Sequence, residues 1–496
     1  MNLKRHFARL LFFILLAPLF ASAQDLTSDS IDVFIKTKML QKHIPALQLS
    51  VIRNNKVVKL STYGTANLEN NIPATDQSIF SINSITKAFT GVAIMQLAEE
   101  GKLKTTDRLS VYLDSLPDAW QKITLQQVLT HTSGLPDILD EDEQILGNGV
   151  EKAALQKAKA LPMEFSIGDK FSYNQTGYVL LGQIINKLSG MHFTKFIEER
   201  QFKIAGMPLT RFGDSYDVVP NSAGAYTMTK LVNGQFVRNQ TPGVGYIQFP
   251  LFFRTAAGIQ STAADMANWI IALKEGKLLK QKSSIETMWT PAILNNGKVG
   301  GFNRLTNGYA LGWPTLTRND HPAVGPVGGG RSALFIYLKD DLSIVVLTNL
   351  MGGNPDQFID EIAGYYVPEL HEANGFGLSP DIKKLRAGLL KQGFNHAASV
   401  AADLQKGNAG FNLEEKALNE WGYQLLSQKK PAEALTIFKL NTTLYPTSAN
   451  TYDSYAEVLE LTDNKKDALV NYKMALKLDP KNKNAEDRIK KLSDNN

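Results

Sequence analysis

Ser84 and Lys87 stand three residues apart at the start of a helical pattern. Ala88, Val92 and Met95 recur at helical spacing, Phe89, Ala93 and Leu97 lie beside them, and Gly101 ends the run. Ser84 is therefore expected at or just inside a helix N-terminus. Unpaired N–H groups and the positive end of the helix dipole favour an alkoxide-like hydroxyl there. Lys87 shares that face of the first turn. A buried amine with a lowered pKa beside a hydroxyl takes its proton, and the product is a serine nucleophile. The same spacing recurs at Ser427 and Lys430, where it reads as a loop between helices. On this tetrad alone, an N-cap serine with a solvated lysine is the simpler reading. Tyr173 is the other candidate, in Phe171-Ser172-Tyr173-Asn174-Gln175-Thr176-Gly177-Tyr178. A tyrosine just before a helix can reach a cleft, and a tyrosinate near Lys87 would serve as a base. Taken alone, it is a packed aromatic.

Other chemistries are missing. The chain has no Gly-x-Ser-x-Gly elbow and no Gly-Lys-Ser/Thr phosphate loop. Its seven histidines form no His-x-x-x-His pair, and it has no cysteine. No metal site and no cofactor are expected, and disulfides and thiol catalysis are excluded.

Several elements must position these residues. A helix is expected over 31–44, then strands over 47–51 and 56–62, joined by the hairpin pair Asn54-Asn55. A helix capped by Thr124 ends in the sharp turn Thr130-His131-Thr132-Ser133-Gly134-Leu135-Pro136. Residues 141–160 read as a charged helix, and 179–188 and 193–202 as further helices. Residues 213–257 lack periodicity and read as excursions over a cleft with short strands. Residues 261–265 cap a helix running to 273. Residues 334–338 and 343–349 read as neighbouring strands turning at Asp340-Asp341, and 355–365 as a closing helix.

With 496 residues, 43% apolar and 20% charged, the chain has room for two or three domains. Lys4, Arg5 and Arg9, an apolar run over 10–20 and Ala21-Ser22-Ala23 read as a signal peptide over 1–23. Its removal leaves 50 basic against 48 acidic residues, a net charge of +2. No nucleic-acid partner is implied by that balance, and no other stretch is long enough to span a membrane.

Near the C-terminus a 34-residue period appears. Ala434 pairs with Ala468, Phe438 with Tyr472, and Pro446 with Pro480, while Gly422 matches Ala456. The pattern resembles tetratricopeptide repeats. Two complete helical hairpins are expected, preceded by a degenerate one over 385–404 and closed by a capping helix over 485–492. The expected domains are a catalytic one over 24–366, a linker over 367–384 and repeats over 385–496. The repeats offer a groove for a protein partner, or serve as a stabilising appendage.

Over about 30–365 the chain resembles the class C β-lactamase and penicillin-binding-protein-like serine hydrolases. The resemblance rests on Ser84-x-x-Lys87, Leu129-Thr130-His131-Thr132-Ser133-Gly134-Leu135, the Tyr173 segment, Gly308-Tyr309-Ala310-Leu311-Gly312-Trp313 and Val345-Val346-Leu347-Thr348-Asn349, in the family's order. It implies an α+β fold, an antiparallel sheet flanked by helices plus a helical lobe, with the active site between. It implies catalytic roles for Ser84, Lys87 and Tyr173, an oxyanion hole from the N–H groups of Ser84 and of a residue near Gly329, and a periplasmic or secreted protein. Two departures stand out. Tyr173-Asn174-Gln175 replaces the family's Tyr-x-Asn, so Gln175 or Asn174 is expected to hold the substrate amide. Pro326-Val327-Gly328-Gly329-Gly330-Arg331 replaces the basic residue, small residue and glycine of the third motif. Gly328 and Gly329 remain as substrate-binding candidates, and Arg331 is the nearest cation. Loss of the basic residue disfavours β-lactams and peptidoglycan-type D-Ala-D-Ala peptides relative to an ester or small amide. The alternative is a catalytically weakened fold that binds such a peptide while the repeats recruit a partner.

Overall fold

A computed structural model describes residues 20–232 and 235–493. The chain divides into two compact units, Met1–Tyr365 and Tyr366–Asn496. Residues 1–19, most of the expected signal peptide, lie outside the described residues. The first helix is Phe20–Lys42, longer than the expected 31–44.

The first unit is built on a nine-stranded antiparallel sheet. At its centre Ala46–Arg53 pairs with Leu342–Thr348, Leu49 opposite Val346 and Val51 opposite Ile344. The opening hairpin forms as its turn chemistry requires. Asn54 and Asn55 both take positive φ, 51° and 54°, which suits a two-residue turn between twisted strands. Ser332–Tyr337 lies on the other side of Leu342–Thr348, and both strands are buried on both faces. That burial explains their unbroken apolar runs. The short strand Val327–Gly328 pairs with the start of Ser332–Tyr337.

The helix Thr86–Glu99 runs through the core of this unit. Residues 86–97 are all buried, as fits a mostly apolar helix packed on every side. Phe89 stacks on Trp269 at 3.9 Å between ring centroids, and Trp269 lies parallel to Trp313 at 5.7 Å. Thr124 forms a complete capping box: Gln127 N–H donates to Thr124 Oγ1 at 3.2 Å, and Thr124 N–H to Gln127 Oε1 at 2.9 Å. Thr262 caps Ala263–Lys274 by accepting from Asp265 N–H at 3.1 Å.

Two expectations need correction. Only Glu151–Ala160 of the expected helix over 141–160 is α-helical. Gly147, Asn148 and Gly149 take positive φ (65°, 54° and 75°), which a right-handed helix does not allow. Residues 213–257 hold a substantial hairpin, Tyr226–Val232 with Gln235–Val244, in place of scattered short strands.

The second unit is helical. Pro380–Gln392, Ala397–Gly407, Glu415–Ser427, Pro431–Leu444, Ala449–Leu461, Lys465–Leu478 and Lys483–Ser493 follow one another with short connections. The first of these starts at Pro380, capped by Ser379, inside the stretch read as linker. Residues 34 apart, Ala434 with Ala468 and Phe438 with Tyr472, are all fully buried.

Candidate active site

Ser84 sits in a single 3-10 turn, Asn83–Ile85, that feeds the buried helix from Thr86. It therefore precedes the α-helix proper by two residues. Asn83 takes φ +46°, a conformation open to asparagine because its short polar side chain bonds locally. Here that side chain accepts from Ser81 Oγ at 2.8 Å and donates to Gly328 O at 3.4 Å.

The edge at Gly328-Gly329 closes on this turn. A Cβ on Gly328 would lie 2.0 Å from Ile82 O, and one on Gly329 would lie 2.6 Å from Asn83 Nδ2. Only glycine lets the two backbones approach so closely. Gly329 lines the same cavity as Ser84, about 310 Å³, with Tyr173, Phe302, Tyr309 and Pro326.

Lys87 is 1% exposed. Its Nζ donates to Gln175 Oε1 at 2.8 Å and to Ala256 O at 2.9 Å. It also lies 4.6 Å from the Tyr173 ring centroid and 5.1 Å from that of Tyr178. Burial pulls its pKa down to about 7, against the opposing pull of Asp137. Burial raises the pKa of the Tyr173 hydroxyl, and Ser84 and Gln175 pull it the other way. Lys87, not Tyr173, is thus the group that exchanges its proton near neutrality.

The turn after Thr130 holds Tyr173 in place. His131, buried with φ +57°, accepts the Asn174 N–H on Nδ1 at 3.0 Å. That bond leaves the ring proton on Nε2, and burial keeps the imidazole neutral. The His131 ring lies 4.4 Å from the Tyr173 ring and 4.6 Å from Tyr309. Asn174 Nδ2 donates to Leu135 O at 2.8 Å, and Thr176 Oγ1 to Pro136 O at 2.7 Å.

The two residues after Tyr173 divide as follows. The Gln175 amide faces Lys87, whereas both ends of the Asn174 amide are taken. Asn174 Oδ1 accepts Gly177 N–H at 2.9 Å, and the residue is 3% exposed. Asn174 is therefore corrected from a substrate-binding residue to a brace at the start of the Thr176–Ser189 helix. Arg331 is corrected too. It is 2% exposed, its Nη2 donates to Gly245 O, and it lines a different cavity from Ser84.

Sequence reasoning missed Asp137. Its carboxylate accepts the Gln175 N–H at 3.2 and 3.3 Å and the Leu139 N–H at 3.3 Å. Burial pushes its pKa up to about 6, partly offset by hydrogen bonds and Lys87. The available signal was a lone acid between Pro136 and Ile138, directly after the Ser-Gly turn.

Comparison with known proteins bears on the family and the fold. Residues 31–366 match the profile of the Beta-lactamase family. Protein flp of Staphylococcus aureus (strain MRSA252) is 28% identical over 336 residues, covering 66% of this chain and 64% of that protein. The chain thus spans less than two thirds of the length of the curated relatives it first matches. The crystal structure of a penicillin binding protein from Bacillus halodurans superposes with a TM-score of 0.53 at 26% identity, over 66% of this chain and 98% of that one. EstCE1, a hydrolase with promiscuous acyltransferase activity, shares the fold with a TM-score of 0.57 at 18% identity, over 69% of this chain and 100% of that one. With the central sheet and the Ser84 cleft both inside the matched stretch, the chain belongs to the beta-lactamase family of serine hydrolases.

Proposed function

We propose that the protein hydrolyses an ester or small amide through an acyl-enzyme on Ser84. The observation that carries this reading is that Ser84 and Tyr173 line one cavity, with the Tyr173 ring 4.6 Å from a buried Lys87 Nζ whose pKa is brought down to about 7. Neutral Lys87 draws the Ser84 proton through the Tyr173 hydroxyl as Ser84 Oγ bonds to the substrate carbonyl carbon. The N–H groups of Ser84 and Gly329 receive the oxyanion, and each such donor contributes ~3 kcal/mol in the transition state. The C–O or C–N bond then breaks, and the proton passes to the leaving group. Water attacks the acyl carbon by the reverse route and frees Ser84. Gln175 steadies Lys87 and offers its amide to the substrate. Pro326 in the cavity wall supplies no cation for a substrate carboxylate, which favours a neutral ester over a β-lactam. The relatedness to penicillin-binding proteins and the fold of EstCE1 support acyl transfer as the chemistry.

The N-terminal segment is read as an export signal, with a periplasmic or secreted destination. Among the described residues no helix is long and apolar enough to cross a membrane. The helical second unit is read as tetratricopeptide-like repeats that bind a protein partner, supported by the buried 34-residue spacing. A second reading, a weakened enzyme that binds a peptidoglycan-type peptide, is favoured by Pro326 alone.

Labelling the chain with a fluorescent fluorophosphonate and, separately, a fluorescent penicillin tests both. Fluorophosphonate labelling that Ser84→Ala abolishes, with no penicillin labelling, is the expected result. Labelling by both probes would restore penicillin-type substrates. No labelling of folded protein by either probe would overturn the enzyme reading in favour of the binding module.

A further inference from the structure

Arg331 follows the glycine turn that carries Gly329, and its backbone is firmly held. Arg331 N–H donates to Gly328 O at 2.9 Å, and its carbonyl accepts both the N–H and the Oγ1 of Thr348, each at 2.8 Å. The side chain is 2% exposed, yet among the described residues no carboxylate meets it. Nη2 reaches the carbonyl of Gly245, and Nε is buried without any partner. Arg318, in the same unit, shows the usual arrangement: its two Nη atoms fork onto Asp360 at 2.9 and 3.0 Å. A buried guanidinium without a counter-ion is costly, and a planar guanidinium matches a carboxylate in shape.

Arg331 lines a cavity of about 250 Å³ that shares no residue with the Ser84 cavity. Ser81, Ser215 and Ser222 bring hydroxyls to its wall. Ser215 Oγ accepts the Ile247 N–H at 3.1 Å, which leaves its own proton to donate. The one carboxylate in the wall, Asp217, is already paired with Arg254 at 2.7 Å. Burial brings the Arg331 pKa down to about 10, so the group is still a cation at neutral pH.

We propose that this second cavity is a binding site for a small carboxylate, gripped by the Arg331 guanidinium and the hydroxyls of Ser215 and Ser222. Two sources share that chemistry: a free carboxylic acid, or a carboxylate at the far end of an acyl group carried on Ser84. Ser81, in the wall of this cavity, bonds to Asn83, the residue before Ser84. Binding of a free acid is independent of the acyl-enzyme reading; the second source rests on it.

The test has two arms on the full chain. In the first, acetate and succinate are titrated at constant ionic strength against chloride, and the melting temperature is followed. A saturable rise specific to carboxylate is expected, weakened roughly tenfold or more in Arg331→Lys, whose point charge lacks the fork. Ser222→Leu, at the exposed rim, should also weaken it if Arg331→Lys does not fold. In the second arm, an aryl hemisuccinate is compared with the aryl butyrate. A kcat/KM preference for the hemisuccinate, lost in Arg331→Lys, assigns the carboxylate to the acyl group. A melting shift without that preference assigns the site to a free acid. A wild-type protein with neither a carboxylate-specific shift nor the ester preference overturns the proposal. Butyrate turnover in that same protein would leave the acyl-enzyme reading standing.

Discussion

Lys87 and Arg331 are both buried cations on elements that meet at Ser84, and their surroundings differ. Lys87 has two oxygen acceptors, two aromatic faces and the field of Asp137. Arg331 has a single carbonyl and an empty Nε. Burial acts differently on the two. A lysine sheds its proton when desolvated, so burial turns it into a base that works near neutrality. An arginine keeps its charge, so burial turns it into a demand for an anion. The first arrangement is complete within the chain, and the second is completed by a ligand.

Removing the lysine amine breaks this comparison most severely. Lys87→Met should reduce fluorophosphonate labelling and ester turnover by about a thousandfold or more, since it removes the proton acceptor of an activated serine. It should also change how stability depends on pH. Unfolded Lys87 holds its proton to near 10.5, whereas the folded group releases it near 7. Between those values the unfolded state binds more protons, so this group makes stability rise with pH there. A melting-temperature series from pH 7 to 10 should lose that slope in Lys87→Met. An unchanged slope would mean that folded Lys87 stays protonated.

What was legible in the sequence follows the same division. The Ser84–Lys87 spacing is local and visible, but on its own it favoured a solvated lysine, and only the resemblance over the rest of the unit pointed to chemistry. The hairpin at Asn54-Asn55 and the caps at Thr124 and Thr262 are local too. Asp137 was not legible, because its role depends on a chain brought from 38 residues away, the Gln175 N–H. The aim of Arg331 was equally hidden: two positive-φ glycines precede it, and its direction depends on how they turn. Asn174 and Gln175 offered the same amide chemistry. Which one faces Lys87 was decided by Asn174 serving the helix start at Gly177. In the second unit the 34-residue spacing was visible in the sequence, and its small and aromatic positions Ala434, Ala468, Phe438 and Tyr472 are buried.

The oxyanion edge comes next in size. Gly328→Ala places a methyl 2.0 Å from Ile82 O, so the edge must move away from the Ser84 turn. Turnover should fall by roughly 10²–10³, the loss typical of one oxyanion donor. The melting temperature of the variant should be measured alongside, and the loss should appear in kcat more than in KM.

Asp137→Asn removes the charge and keeps one carbonyl oxygen for the Gln175 and Leu139 N–H groups. Its carboxylate favours the protonated form of Lys87, so neutralising it lowers the lysine pKa further. The acidic limb of the pH–kcat/KM profile, centred near 7 in the wild type, should move to lower pH by up to about one unit. Movement to higher pH would show that the acid does not act on Lys87 electrostatically.

The smallest effect is expected at Gln175. Gln175→Asn keeps the amide but shortens its reach to Lys87 Nζ, now 2.8 Å from Oε1. Ala256 O still holds the amine, so the nucleophile should survive and labelling by fluorophosphonate should fall only a few-fold. The consequence of interest lies in specificity. Asparagine at this position restores the Tyr-x-Asn spacing of related enzymes, but Pro326 still denies a carboxylate partner. The variant should therefore gain no labelling by fluorescent penicillin. If it did gain it, the length of residue 175, and not the missing cation at 326, would be what sets the substrate range.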